Sequence, residues 1–149
     1  DDCSSRGLGD VYKRQPFHVG HISQAVFLDS LANRIYSKVN EYGLGDKVIV
    51  NCRNYDLLQR LAELDSAISL AAEGSDFQST LEIAVELKFD GVTHDKNNIS
   101  REDADIAHEH HLWVTLYGVK TRRGTIQALR ISPDAIITDK IRLLKKMTE

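Results

Sequence analysis

From residue 17 onward, short apolar runs rich in β-branched residues alternate with longer segments whose apolar residues recur every three or four positions. A period near two that gives way repeatedly to one of 3.6 is the signal of successive βα units. Six strands are expected: FHVGHI, KVIVNC, AISLAA, DGVTH, WVTLYG and DAIITD. The first helix, over about residues 23–42, sets Val26, Phe27, Leu31, Ile35 and Val39 on one stripe to pack on a sheet, with Ser23 as N-cap and Gly43 as stop. The second starts near Asn54 and turns Leu57, Leu58, Leu61 and Leu64 inward, and the third, DFQSTLEIAVELKF, does so with Leu81, Ile83, Ala84 and Leu87. The fourth opens at SRED, where Ser100 caps and Asp103 stands in a capping-box position more often held by Glu or Gln. TRRGTIQALRI and KIRLLKKM supply the last two helices.

Strands as apolar as Val48-Ile49-Val50 and Ala135-Ile136-Ile137 suit a parallel sheet covered on both faces. The class is therefore α/β, as an open doubly wound sheet or a barrel, and periodicity alone does not choose between them. HVGHIS is not a G-x-G-x-x-G loop and no G-x-x-x-x-G-K-[ST] occurs, which weighs against nucleotide-binding versions of the open sheet. With 149 residues, 42% hydrophobic and 28% charged, the composition is that of one globular domain. A net charge of -3 offers no general attraction to nucleic acid or anionic lipid, so neither is an expected partner. No apolar run is long enough to span a bilayer and the N-terminus lacks the apolar centre of a secretory signal, leaving the compartment unread. Cys3 and Cys52 show no metal-type spacing and are expected to remain unbridged.

Three stretches carry a resemblance: YGLGDKVIVNCRNYDLLQRLAEL, ELKFDGVTHDKNNISREDADIAHEHHLWVTLYGVKT and SPDAIITDKIRLLKK. Together they resemble the later part of the glycerophosphodiester phosphodiesterase family. A helix closes on Tyr-Gly-Leu, a late strand stands in place of the family's WTVN, and PDAIITDKIRLL is similar to its closing DGIITD strand and helix. The resemblance covers about residues 17–147. It implies an incomplete TIM-type (β/α)8 barrel of the phospholipase-C-like phosphodiesterase type, with about six βα units standing as strands three to eight. The family's first two strands carry a His-Arg-Gly histidine, Glu-x-Asp metal ligands and a second His-Asp; His-Arg-Gly occurs nowhere in the sequence, and Glu-x-Asp and His-Asp occur only as Glu63-Leu64-Asp65 and His94-Asp95, on later elements than the resemblance requires.

For an intact member the resemblance implies hydrolysis of a glycerophosphodiester to glycerol 3-phosphate and an alcohol, assisted by Ca or Mg. Hard cations take carboxylate oxygens and offset phosphoryl charge, and a histidine pair serves as base and acid near neutral pH. Barrel chemistry gathers at the carboxyl ends of the strands. There the resemblance sets His18 in the place of a metal-binding glutamate and Gly20 in that of a phosphate-binding lysine. Cys52 and Arg53 replace a Ser-Phe pair, with Arg53 either touching phosphate or simply exposed. Tyr117 takes the place of a tryptophan that walls the glycerol pocket, while Gly118 and Lys120 replace Thr and Asn, with Lys120 reaching anionic substrate or only solvent. Tyr117, Lys120 and Arg53 are thus the expected substrate contacts and His18 the one metal candidate, with no catalytic residue expected in the chain. His94-Asp95 either lines the mouth or starts a helix. His108 and His111 are read as sharing a helix face at the opposite, stabilising end, complementing a helix C-terminus.

Residues 5–15, SRGLGDVYKRQ, resemble the in-frame translation of a transposase adapter used to prepare sequencing libraries. Residues 1–15 are accordingly expected to be a non-native, disordered tail and residues 16–149 the barrel portion. On this reading the chain is a fragment of a phosphodiesterase, inactive by itself and without a bound cation, whose open edges at FHVGHI and DAIITD invite strand-paired self-association. The alternatives are a degenerate, non-catalytic barrel that binds a phosphorylated ligand or partner, and an open-sheet regulatory or binding domain.

Overall fold

Side chains three residues ahead of a backbone N–H set where the helices begin. In the computed structural model, which describes residues 23–148, Ser23 Oγ accepts the Val26 N–H at the start of α1 (Gln24–Glu41). Asn54 Oδ1 accepts the Leu57 N–H ahead of α2 (Tyr55–Leu64), and Asp76 Oδ2 the Ser79 N–H ahead of α3 (Phe77–Glu86). Thr121 Oγ1 does the same for Gly124 at α5 (Arg122–Ile131). At α4 (Arg101–Glu109) the capping box is complete: Asp103 N–H donates to Ser100 Oγ at 3.1 Å and Ser100 N–H to Asp103 Oδ2 at 2.8 Å. The shorter aspartate thus closes the box where Glu is usual. Gly43, at φ +62, takes the left-handed turn that ends α1, and α6 (Ile141–Thr148) ends the described chain.

The strands are β1 (Ile49–Cys52), β2 (Ser69–Glu73), β3 (Gly91–Asp95), β4 (Trp113–Tyr117) and β5 (Ala135–Ile136). All pairs are parallel and the spatial order is the sequence order, β1-β2-β3-β4-β5. A doubly wound sheet reverses its order at a switch point, and the described strands do not, which speaks against the open-sheet alternative. The fold is α/β, a parallel sheet with surrounding helices in the manner of an incomplete (β/α) barrel. The expected strand FHVGHI, with His18, Gly20 and His21, lies outside the described residues, as do residues 1–15 and Cys3.

Register sorts the strand side chains into two faces. Val50 and Leu70 on one row, Cys52, Ala72, Val92 and Val114 on the next, and His94, Leu116 and Ile136 beyond it face the helices, forming the core with Leu58, Leu61, Ala84, Ala104 and Ala107. Asn51, Ala71, Gly91 and Trp113 share an inner row, followed by Glu73, Thr93, Thr115 and Ala135. Cover thins at the margins of the described sheet, where Ile49 at the start of β1 is 48% exposed and Ile137, just after β5, 51%.

Two expectations need correction. In α1, Val39 is buried and Phe27, Leu31 and Ile35 pack against the core as expected, beside the buried Leu28 and Ala32, while Val26 is exposed. The helix packs chiefly on α2, where Arg60 also meets Asp29, instead of lying directly on the sheet. The pair His108 and His111 does not share a helix face, because α4 ends at Glu109 and His111 turns left-handed at φ +61. His108 Nε2 instead lies 3.0 Å from Asp134 Oδ2, which also accepts the Val114 N–H at 2.7 Å, joining α4 to the starts of β4 and β5.

Candidate anion site at the carboxyl ends of the strands

Alternation along parallel strands carries the last inner-facing residue of each to a common rim. Arg53 directly follows β1, Glu73 closes β2, Asp95 closes β3 and Tyr117 closes β4, the last two being register partners. Three of the four are connected. Arg53 Nε donates to Glu73 Oε1 at 3.0 Å and Arg53 Nη2 to the Tyr117 hydroxyl at 3.2 Å. From the helix side, the Tyr55 hydroxyl donates to the Glu73 carbonyl at 3.1 Å, steadying the end of β2. Burial disfavours the charge on Arg53, but its contacts with Glu73 and Tyr117 outweigh this and hold its pKa above the ordinary value.

The neighbouring rim group is committed elsewhere. Asp95 Oδ1 accepts from the Asn97 backbone at 2.9 Å and from Asn97 Nδ2 at 2.8 Å, forming the turn after β3. Gly118 faces this turn at φ +79, and a Cβ there would come within 2.7 Å of Asp95 Oδ2, so backbone angle and space both call for glycine. Lys96 Nζ donates to Asn97 Oδ1 at 2.7 Å, completing a small polar knot beside the rim.

His94 points the other way. Its ring is fully buried on the helix side of β3, tilted against Phe77 at a centroid distance of 5.8 Å, and neither ring nitrogen has a hydrogen-bond partner. Burial lowers its pKa from 6.5, against the attraction of Asp103, Asp76 and Glu73 and with the help of Arg53, so the ring is held neutral.

The fold of sequentially ordered parallel strands has counterparts among solved structures. A protein from Silicibacter pomeroyi assigned as a glycerophosphoryl diester phosphodiesterase superposes with a TM-score of 0.75 at 13% identity, over 85% of this chain and 47% of its own. A glycerophosphodiester phosphodiesterase from Parabacteroides distasonis gives 0.72 at 13% identity, over 85% and 53%. An Oleispira antarctica phosphodiesterase, solved with the product sn-glycerol-3-phosphate, gives 0.74 at 11% identity, over 83% and 51%. The chain has the fold of the glycerophosphodiester phosphodiesterases. It spans about half the length of these proteins. No family model and no curated protein matches its sequence.

Within that fold, two of the three expected substrate contacts, Arg53 and Tyr117, are brought into direct contact across 64 residues of sequence. Lys120 is exposed in the loop between β4 and α5. The expected metal candidate, His18, lies outside the described residues. The pair His94-Asp95 is divided by the pleat, with Asp95 on the rim and His94 among the helices. Glu73 went unnoticed in the sequence, although it is the one charged residue of SLAAE and alternates in phase with Ala71. The described residues do not fit a resident divalent cation: Glu73 is paired with Arg53, Asp95 with Asn97, and no group of three or more His, Cys, Asp or Glu converges among them. No helix among them is long and apolar enough to cross a membrane.

Proposed function

We propose that this chain is the phosphate- and glycerol-contacting part of a glycerophosphodiester phosphodiesterase barrel. The whole protein would hydrolyse a glycerophosphodiester to glycerol 3-phosphate and an alcohol, with the catalytic histidines and the ligands for Ca or Mg supplied from outside the described residues. One observation supports this most: Arg53 is held by Glu73 and Tyr117 at the inner rim, where barrel enzymes bind their substrates. A guanidinium has five N–H donors, and the three not used on Glu73 and Tyr117 suit phosphate oxygens. Tyr117 adds an aromatic wall beside them, and Lys120 a second cation within the same loop region.

Titration of the chain with sn-glycerol 3-phosphate, followed by amide chemical shifts, is expected to perturb the segments around Arg53 and Tyr117. Arg53→Gln is expected to weaken that binding about tenfold, as loss of a charge-assisted contact at an exposed rim should. Unchanged binding in the variant would remove Arg53 from the site. The purified chain is expected to show no metal-dependent release of glycerol 3-phosphate, and measurable turnover would overturn the division of labour proposed here. The non-catalytic alternative, a barrel that only binds a phosphorylated ligand, is favoured by the same Arg53 and by the lack of a cation ligand set among the described residues. Recovery of the longer reading frame separates the two, since the enzyme reading requires His-Arg-Gly and Glu-x-Asp upstream.

The edge at DAIITD, where Ile137 just after β5 is 51% exposed, favours strand-paired self-association of the chain, while the other expected edge, FHVGHI, lies outside the described residues. Sedimentation is expected to show mass rising with concentration, and a monodisperse monomer would count against it.

A further inference from the structure

The Arg53 clamp does more than position a cation. The Glu73 side chain is 17% exposed and that of Arg53 52%, so the carboxylate sits deeper while the guanidinium faces the open rim. Hydrogen bonding and long-range charge are thereby separated. The three uncommitted N–H groups of Arg53 remain able to donate to phosphate oxygens, a short-range attraction that Glu73 does not cancel. The longer-range field is different, because the negative charge next to Arg53 offsets the positive one over the whole rim. A ligand feels that loss in proportion to its own charge.

We propose that Glu73 makes the rim discriminate by ligand charge, favouring a singly charged phosphodiester over a doubly charged phosphomonoester. This rests on the reading of Arg53 as a phosphate contact. Hydrolysis of a diester raises the charge on the glycerol-bearing phosphate from one to two, so a rim that penalises the second charge holds substrate and sheds product. Glu73 is thus a specificity residue acting through Arg53, with no contact of its own to the reacting atoms required.

The experiment compares the full chain with Glu73→Gln, which keeps a carbonyl acceptor for Arg53 Nε and removes only the charge. Both proteins are titrated at about pH 8, where a phosphomonoester is a dianion, with sn-glycerol 3-phosphate and with the monoanionic diester glycerophosphoglycerol. Glu73→Gln is expected to tighten the monoester about fivefold and the diester about twofold, with both gains shrinking as salt is raised. Equal tightening of the two ligands, no change, or weakening of both would overturn the proposal while leaving Arg53 as a phosphate contact. Absence of binding to either protein would instead defeat the Arg53 reading itself, and this inference with it. Thermal unfolding of the variant, expected to stay cooperative, guards against a misfolded comparison.

Discussion

Acidification from about pH 8 to about pH 5 is expected to cost the chain up to about 1.4 kcal/mol of stability per pH unit below about 6.5 through His94 alone. His94→Leu is expected to abolish that component. The buried ring has no partner for either nitrogen, and burial lowers its pKa from 6.5. The unfolded chain therefore binds a proton that the folded chain refuses. Stability from this group is fully present above about pH 6.5 and falls as pH drops toward the lowered folded value, where it levels off. Asp103 at the start of α4, Asp76 ahead of α3 and Glu73 at the end of β2 all attract the proton, and Arg53 repels it, but burial is the largest influence. Leucine fills similar space without a polar atom to satisfy, so at about pH 8 the variant should be no less stable than the parent. Urea unfolding of both proteins across the range provides the check, the difference between them isolating His94 from other carboxylates and histidines. Parallel pH profiles would show that His94 is not the group responsible.

Gly91→Ala is expected to destabilise the chain by about 1–3 kcal/mol, and by much less in a Trp113→Ala background. Gly91 and Trp113 are register partners on β3 and β4, and the indole lies across the glycine. A Cβ at Gly91 would come within 1.4 Å of Trp113 Cδ1 and 1.5 Å of Trp113 Nε1, which no flexible side-chain end can relieve because the ring is rigid. The indole nitrogen is itself buried without a partner, so the ring is held on the inner row by packing and not by a hydrogen bond. Relief therefore requires the strands to separate or the indole to leave the inner face. A double-mutant cycle by urea unfolding tests this, and an equal cost of Gly91→Ala in both backgrounds would show that the glycine is needed for some other reason.

These two residues also show how unevenly sequence and tertiary structure share the information. The N-caps at Ser23, Asn54, Asp76, Ser100 and Thr121 act within three residues, and their helices fall close to where the pattern sets them. Residue types at that range constrain the backbone directly. The partner of α1 was less legible: its stripe of Phe27, Leu31, Ile35 and Val39 does turn to the core, joined by Leu28 and Ala32, but an apolar stripe does not say whether a sheet or the neighbouring α2 will cover it. At the site, Arg53 and Tyr117 stood out by the places the family resemblance gives them, but Glu73 did not, because a single acidic residue after an apolar strand reads as an ordinary loop boundary.

The sequence by itself determined the alternation of strands and helices, the caps and turns, and the parallel α/β class, all of which follow from spacings of two to four residues. The resemblance already implied strands in sequential order, which the structure bears out; only the tertiary structure decided that Arg53 meets Glu73 at 20 residues' separation and Tyr117 at 64, and that His94 turns to the helices while Asp95 turns to the rim. The pleat dictates that neighbouring residues face opposite ways, but which way is inside depends on the side to which the helices pack, and no local pattern carries that choice.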